Sequence, residues 1–110
     1  MRAIRTNLQK DLAVVEQKVY DVVKKVIDKT DPESLLKMGA PKDEYNSPSA
    51  LIAKAIVREG GGGMQLTGLA YILALVLHME FEMWTRPVTL HGQHFEIAGK
   101  LLPLLPKIKR

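Results

Sequence analysis

The side chains best suited to chemistry are three consecutive residues, Asp43, Glu44 and Tyr45, which lie between Pro41 and Pro48. Two adjacent carboxylates can hold a cation, and one of them can act as a general base where burial raises its pKa. Tyr45 would then be the proton donor of an enzyme. In the structural alternative, the acids charge the approach to the next helix and the tyrosine covers the edge of the core. We favour the structural alternative and keep the enzyme as a competing hypothesis.

A second set of candidates lies at the end of a long apolar segment, where Met79, Met83 and Trp84 flank Phe81. Methionine side chains adapt to varied shapes, so these residues could line a ligand pocket or a partner groove. Packing in the core or in a dimer interface is the commoner role of such residues. With the acidic segment above, they are the candidate ligand- or partner-binding residues.

Metal chemistry has weaker support. His78 and Glu82 are four residues apart and would share one face of a helix, and His91 and His94 could add two more nitrogens. The spacing does not match the HExxH pattern of zinc enzymes. We therefore predict no metal site and no cofactor.

Nucleotide binding and nucleophilic catalysis also lack their patterns. The glycines at 60–63 precede a predicted helix, and helix N-termini attract anions. However, no Lys-Ser or Lys-Thr follows them, and no predicted strand precedes them, so the P-loop and Rossmann fingerprints are missing. The chain has no cysteine, which excludes disulfides and cysteine nucleophiles and favours a reducing, cytoplasmic setting. The first residues also lack the apolar core of a signal peptide.

The net charge of +4 comes with basic residues at both ends of the chain. They are Arg2, Arg5, Lys100, Lys107, Lys109 and Arg110. Such clusters can favour acidic partners, and nucleic-acid binding through them is a further alternative. We prefer to interpret them as solvated tails, because nucleic-acid-binding proteins usually show a denser basic face with a recognisable motif.

The composition predicts a helical protein. Hydrophobic residues make up 46% of the chain and aromatic residues only 5%, so the core must be largely aliphatic. That composition favours helix packing over a sheet sandwich, which relies on aromatic and β-branched residues. A length of 110 residues suits one domain, and we expect a single helical domain over residues 1–110.

The first predicted helix has the clearest pattern. Its apolar residues alternate spacings of three and four, which keeps them on one side of a helix. They are Leu8, Leu12, Val15, Val19, Val22 and Val26, with Val14, Val23 and Ile27 widening the stripe. Thr6 and Gln9 have the spacing of a capping box at the helix start, and Pro32 ends the helix.

Two further helices are predicted to begin with a cap and a proline. Asp31-Pro32 would start a short helix that Gly39 closes in a left-handed conformation. Ser47-Pro48 would start a longer helix that ends at the glycines, residues 60–63. We interpret these glycines as a flexible loop.

The segment Met64–Trp84 is the most apolar in the chain, with Leu69–Leu77 apolar all round. Its uncharged part, Leu66–Met79, would be about 21 Å long as a helix and is too short for a bilayer core of about 30 Å. Too few other helices are available to cover it, so we predict a homodimer.

The C-terminal segment allows two interpretations. Phe95, Ala98, Leu101 and Leu105 fit a helix. The alternating apolar residues around Gly92 would instead fit a short hairpin. We choose the helix.

Several short motifs follow the first helix in order: Asp31-Pro32, Leu35-Leu36, Gly39-Ala40-Pro41 and Asp43-Glu44-Tyr45. In these motifs the first half of the chain resembles the YugE-like small helical proteins of unknown function. The chain departs from their pattern at residues 46–48, where further acidic residues would be expected. The resemblance implies a helical bundle and no known activity.

Taken together, the patterns predict an all-α, four-helix bundle-like single domain with an additional short helix after the first long helix. The favoured function is a binding protein, a homodimer that recognises a protein partner or a small apolar ligand. We expect no membrane association and no nucleic acid as the main partner.

Overall fold

The computed structural model describes residues 2–33, 35–81, 90 and 92–107, with side chains from residue 13 onward. The described residues form four α-helices: α1 (Arg2–Thr30), α2 (Asn46–Arg58), α3 (Leu66–Phe81) and α4 (Gly92–Leu101). A 3₁₀ turn, Leu102–Leu104, follows α4 directly. Within these residues the β contacts are limited to one isolated antiparallel bridge between Gly61 and Lys107. The predicted all-α, bundle-like fold is confirmed.

Helix α1 presents one face to the core. Val19, Val23 and Ile27 are fully buried, at spacings of four, and the valines beside them are half-buried. Val14 is 55% exposed, so it does not widen the buried stripe as predicted. The helix begins at Arg2. Residues 6 and 9 therefore lie inside the helix, and the predicted capping box at its start is wrong.

The segment after α1 forms turns rather than the additional short helix. Asp31 adopts a positive φ of 46°, which reverses the chain direction before Pro32. Its carboxylate accepts hydrogen bonds from the backbone N–H groups of Leu36 and Lys37, five and six residues further on. A helix N-cap would bond residues two or three positions on instead, so the side chain closes a wider turn. Gly39 has the predicted positive φ, at 94°.

Helix α2 begins one residue before the predicted cap. Tyr45 occupies the N-cap position without a side-chain capping bond, while the Ser47 hydroxyl donates to Glu80 of α3 at 3.3 Å. The predicted serine cap is therefore wrong. The serine instead links the start of α2 to the end of α3, and Pro48 is buried in the first turn of α2.

The glycine segment has a defined backbone structure. Gly60 N–H donates to the Val57 carbonyl and Gly61 N–H to the Ile56 carbonyl, which is the bond pattern of a Schellman motif. Both glycines have positive φ, 99° and 61°. A β-carbon on Gly62 would lie 2.5 Å from the Leu105 carbonyl oxygen, and Gly62 N–H donates to Pro106 at 2.8 Å. The segment predicted as a flexible loop thus ends α2 and anchors residues 105–107.

Helix α3 packs between α2 and α4. It contacts both α2 and α4, and α1 also contacts α2 and α4. The buried residues of α3 are Leu69, Ala70, Leu73, Ala74, Val76, Leu77 and His78. Four of them, Leu69, Ala70, Leu73 and Val76, pack with residues of α1, α2 and α4 in one aliphatic core. Within the described part of the chain, no helix combines the length and apolar character needed to cross a membrane.

Helix α4 resolves the choice between a helix and a hairpin for residues 92–101. Ile97, Ala98 and Leu101 are buried at helical spacing, which confirms the helix. Residues 88 and 89 of the alternative hairpin lie outside the described residues.

Candidate functional site

The structure pairs Tyr45 with a residue that the sequence analysis assigned only to a cap. The Tyr45 side chain is fully buried, and its hydroxyl donates a hydrogen bond of 2.6 Å to Oδ1 of Asp31. The same hydroxyl oxygen accepts a bond of 3.0 Å from the Glu33 N–H. The tyrosine ring meets Phe81 of α3 edge-on, with ring centroids 5.7 Å apart. Tyr45 therefore ties the turn after α1 to the start of α2 and the end of α3.

Both partners of the Asp31–Tyr45 pair have shifted pKa values. Burial alone would raise the pKa of Asp31, but hydrogen bonds from the Tyr45 hydroxyl and nearby backbone amides hold it below its usual value. Burial, with the hydrogen bond to the Asp31 carboxylate, raises the pKa of Tyr45 from 10.0 to about 12. At neutral pH the pair is a carboxylate and a neutral phenol. Acid–base catalysis favours a group whose pKa lies near the pH at which the enzyme works. Neither group of the pair has such a pKa.

The two acids that precede Tyr45 in the sequence are not part of the Asp31–Tyr45 pair. Asp43 and Glu44 are exposed residues in a turn, in which Glu44 N–H donates to Pro41 and Asn46 N–H donates to the Asp43 carbonyl. The hydroxyl of Tyr45 is engaged by Asp31 and Glu33. The geometry matches the structural alternative for this segment, with the acids at the surface and the tyrosine in the core.

Asp31 is the residue of this cluster that sequence reasoning missed. The sequence did contain both residues of the pair among its distinctive motifs. Asp31 is the first residue and Tyr45 the last residue of the motifs on which the resemblance to YugE-like proteins rests. Fourteen residues separate the two, however, so no helical or strand periodicity relates them. Only the turn geometry brings the hydroxyl onto the carboxylate.

Of the second candidate set, Met79 lies within the described residues and is 43% exposed. Met83 and Trp84 lie outside the described residues. Met79 belongs to a surface that we call the α3 outer face, which consists of Gly68, Tyr71, Ile72, Leu75 and Met79. These residues recur at spacings of three and four on the side of α3 opposite its buried residues. Tyr71 is 51% exposed, and the face carries no charged residue.

Two pockets lie on the other side of the molecule, along α1. One, of about 350 Å³, is between α1 and α2 and is lined by small and polar residues that include Ala13, Gln17 and Ala53. The other, of about 340 Å³, lies where the end of α1 faces α4 and the 3₁₀ turn. Both are at the lower end of the size range for small-molecule sites.

The histidines do not form a metal site within the described part of the chain, where no three His, Asp or Glu residues cluster as ligands. His78 and His94 are buried. Glu82 and His91, the other two candidates, lie outside the described residues.

The basic residues at the chain ends are described only in part. Lys100 lies 3.7 Å from Glu96 in an exposed pair one helical turn apart, and Lys107 is exposed. Residues 109 and 110 and the side chains of residues 2 and 5 lie outside the described part. The preferred interpretation of these residues as solvated tails stays a prediction, with nucleic-acid binding as its alternative.

Comparison with known proteins returned no match among protein-family models, curated proteins or solved structures. The resemblance to YugE-like proteins therefore stays a prediction based on the motifs alone.

Proposed function

We propose that the chain is a non-enzymatic binding protein that acts as a homodimer through the α3 outer face. The observation that carries this proposal is the position of that face. It lies opposite the core side of a helix whose exposed residues, from Gly68 to Met79, are all uncharged. Exposed apolar surface is common, but a continuous uncharged stripe along one helix is typical of an interface.

The stripe is complementary to itself. When two copies of α3 pack antiparallel about a two-fold axis near Leu73, Gly68 faces Met79 of the partner subunit. Tyr71 then faces Leu75 of the partner subunit. Glycine, which has no side chain beyond a hydrogen atom, thus faces the long and flexible methionine at each end of the interface. Tyrosine and leucine side chains alternate at its centre. A two-fold interface of this kind uses the same patch on both subunits.

The absence of charge on the α3 outer face is compatible with a second copy as the occupant, although the net charge of the chain opposes association. The chain has a net charge of +4, so two copies repel one another over most orientations. The α3 outer face has no charge and therefore brings no like charges into direct contact. An acidic or basic partner would find no complementary group on it.

The expected affinity is modest. A single helix pair buries less surface than the roughly 1,200–2,000 Å² of stable interfaces. We expect a monomer–dimer equilibrium with a dissociation constant in roughly the micromolar range.

A binding role is also supported over catalysis by the acidic segment. Asp43 and Glu44 are exposed, and the hydroxyl of Tyr45 is hydrogen-bonded to Asp31. The enzyme hypothesis needs all three side chains in one cleft. We further propose a cytoplasmic setting, which the absence of cysteine supports.

Sedimentation equilibrium tests the proposal with two matched variants. Leu75→Glu places a charge at the centre of the α3 outer face and should shift the equilibrium fully to monomer. Val14→Glu places the same charge on an exposed valine of α1 and should leave association unchanged. Circular dichroism checks that both variants keep their helix content. A strictly monomeric wild-type chain at 100-micromolar scale, or equal weakening by both variants, would refute the α3 interface.

A further inference from the structure

The pocket between α1 and the C-terminal segment combines apolar and cationic groups. It has a volume of about 340 Å³ and is lined by Val26, Lys29, Thr30, Lys100 and Leu104. No residue of α3 lines it, so it is separate from the proposed dimer interface. Its walls come from residues 26–30 of α1 and from residues 100–104 of α4 and the 3₁₀ turn, which are at least 70 residues apart in sequence.

The apolar side chains of the lining are partly exposed to solvent. Leu104 is 57% exposed, and Val26 is half-buried against the core. An aliphatic ligand that covered both side chains would remove apolar surface from water, which is favourable in proportion to the area buried.

The polar part of the lining selects an anion. Lys29 and Lys100 are both exposed, and both residues contribute to the lining of the pocket. Among the described residues, Lys100 forms an exposed pair with Glu96 at 3.7 Å, and such pairs contribute little to stability. Its ammonium group can therefore turn from Glu96 to a ligand at small cost.

Thr30 and the end of α1 limit where the polar group of a ligand can bind in the pocket. Its hydroxyl donates to the carbonyls of Val26 at 2.9 Å and Ile27 at 3.3 Å, so its proton is not available to a ligand. The carbonyl end of α1 is also the negative end of the helix dipole, which disfavours an anion on the helix axis. The negative group of a ligand must then lie toward the two lysines, with its apolar part along Val26 and Leu104.

We propose that this pocket binds a free aliphatic carboxylate of short to medium chain length. The carboxylate is held by Lys29 and Lys100, and the alkyl chain covers Val26 and Leu104. The pocket volume is at the lower limit for ligand sites, which restricts the ligand to a small molecule. Octanoate is the probe that combines one carboxylate with a chain of suitable length.

Calorimetric titration with octanoate tests the charge requirement. Saturable binding with one octanoate per chain is expected, and the neutral octanol should bind more weakly. The double variant Lys29→Gln/Lys100→Gln should bind octanoate roughly five- to tenfold more weakly, as expected for the loss of two exposed charge contacts. Lys25→Gln, an exposed lysine of α1 outside the pocket lining, is the matched control and should bind like the wild type.

A second pair of variants tests the apolar requirement at the same place. Leu104→Asp and Leu104→Asn change one exposed side chain to groups of similar size with and without charge. Both should weaken octanoate binding through lost apolar contact, and the aspartate more strongly through repulsion of the carboxylate. Amide NMR shifts on titration should be centred on residues 26, 29, 30, 100 and 104.

Three results would overturn the proposal. They are an absence of saturable octanoate binding, equal binding of octanol and octanoate, and shifts centred away from the pocket. Repeating the titration on the Leu75→Glu variant separates this site from the dimer. Octanoate binding should persist there even if the α3 interface is lost.

Discussion

The hydroxyl group of Tyr45 joins the start of α2 to the turn after α1 through two hydrogen bonds, to Asp31 and from Glu33. Tyr45→Phe keeps the buried ring and its contact with Phe81 but leaves the Glu33 N–H without this acceptor. Losing a hydrogen-bond partner in a buried position costs about 1–3 kcal/mol, and we expect a loss of that size in the free energy of unfolding. Urea denaturation measures it.

Tyr71→Phe, compared in the monomeric Leu75→Glu background, is the matched control for that substitution. Tyr71 is half-exposed on α3, so its hydroxyl is hydrated, and its removal should change stability by less than about 0.5 kcal/mol. Equal effects of the two substitutions would contradict the structural role of the Asp31–Tyr45 pair.

The Asp31–Tyr45 pair also predicts how stability depends on pH. The pKa of Asp31 is lower in the folded chain than its ordinary value of 3.8. Its contribution is therefore complete above about pH 4 and is lost as the pH falls through the folded pKa. The pKa of Tyr45 is raised from 10.0 to about 12, so its contribution is complete below about pH 10 and is lost between 10 and 12.

Two variants isolate these pH effects from those of other groups. Asparagine tolerates the positive φ of position 31, so Asp31→Asn changes the carboxylate with little backbone strain. The stability difference between wild type and Asp31→Asn should shrink below about pH 4. The difference between wild type and Tyr45→Phe should shrink above pH 10. Thermal unfolding across both ranges measures this, and differences that stay constant with pH would exclude the pairing.

Ser49 is a buried polar residue at which stability can be gained. Its side chain is fully buried in α2, and its hydroxyl has no hydrogen-bond partner among the described residues. Ser49→Ala removes the unpaired hydroxyl and improves helix propensity, so we expect stabilisation of about 1 kcal/mol. Chemical denaturation measures the change. Destabilisation by Ser49→Ala would indicate that the hydroxyl has a partner in solution.

At the scale of the elements, two glycines should respond to alanine with opposite signs. A β-carbon on Gly99 of α4 would have no neighbour within 4 Å, so Gly99→Ala should stabilise the chain by about 0.5–1 kcal/mol. A β-carbon on Gly62 would lie 2.5 Å from a backbone oxygen of Leu105. Gly62→Ala should therefore destabilise by about 1–3 kcal/mol. The midpoint of thermal unfolding gives both signs, and a neutral Gly62→Ala would refute the anchoring of residues 105–107.

For the whole molecule, the proposed dimer predicts a stability that depends on concentration. Association stabilises the folded state by mass action, so the melting temperature of the wild type should rise between about 5 and 500 micromolar. The Leu75→Glu variant should show no such rise, while Val14→Glu should behave like the wild type. Concentration-independent melting of the wild type would contradict the dimer independently of sedimentation.

The helical fold could be predicted from the sequence because helix formation depends on local spacing. The buried stripe through Val19 and Val23, the end of α1 before Pro32 and the end of α2 at the glycines all follow from near neighbours. The starts of α1 and α2 were wrong, since backbone geometry at a helix end is easily shifted by a residue or more. The short helix after Asp31 was wrong because the carboxylate closes a wider turn than a cap does.

By itself, the sequence determined the helical class, the aliphatic core and the absence of acidic, lysine and arginine residues from residues 66–79, since these depend on composition and periodicity. Only the tertiary structure decided which groups meet. It placed Tyr45 on Asp31, left Asp43 and Glu44 at the surface, and brought Lys29 and Lys100 to the lining of one pocket. The physical reason is that hydrogen-bond partners and pocket walls come from residues far apart in the chain. Their meeting depends on how the helices pack, which local spacing does not encode.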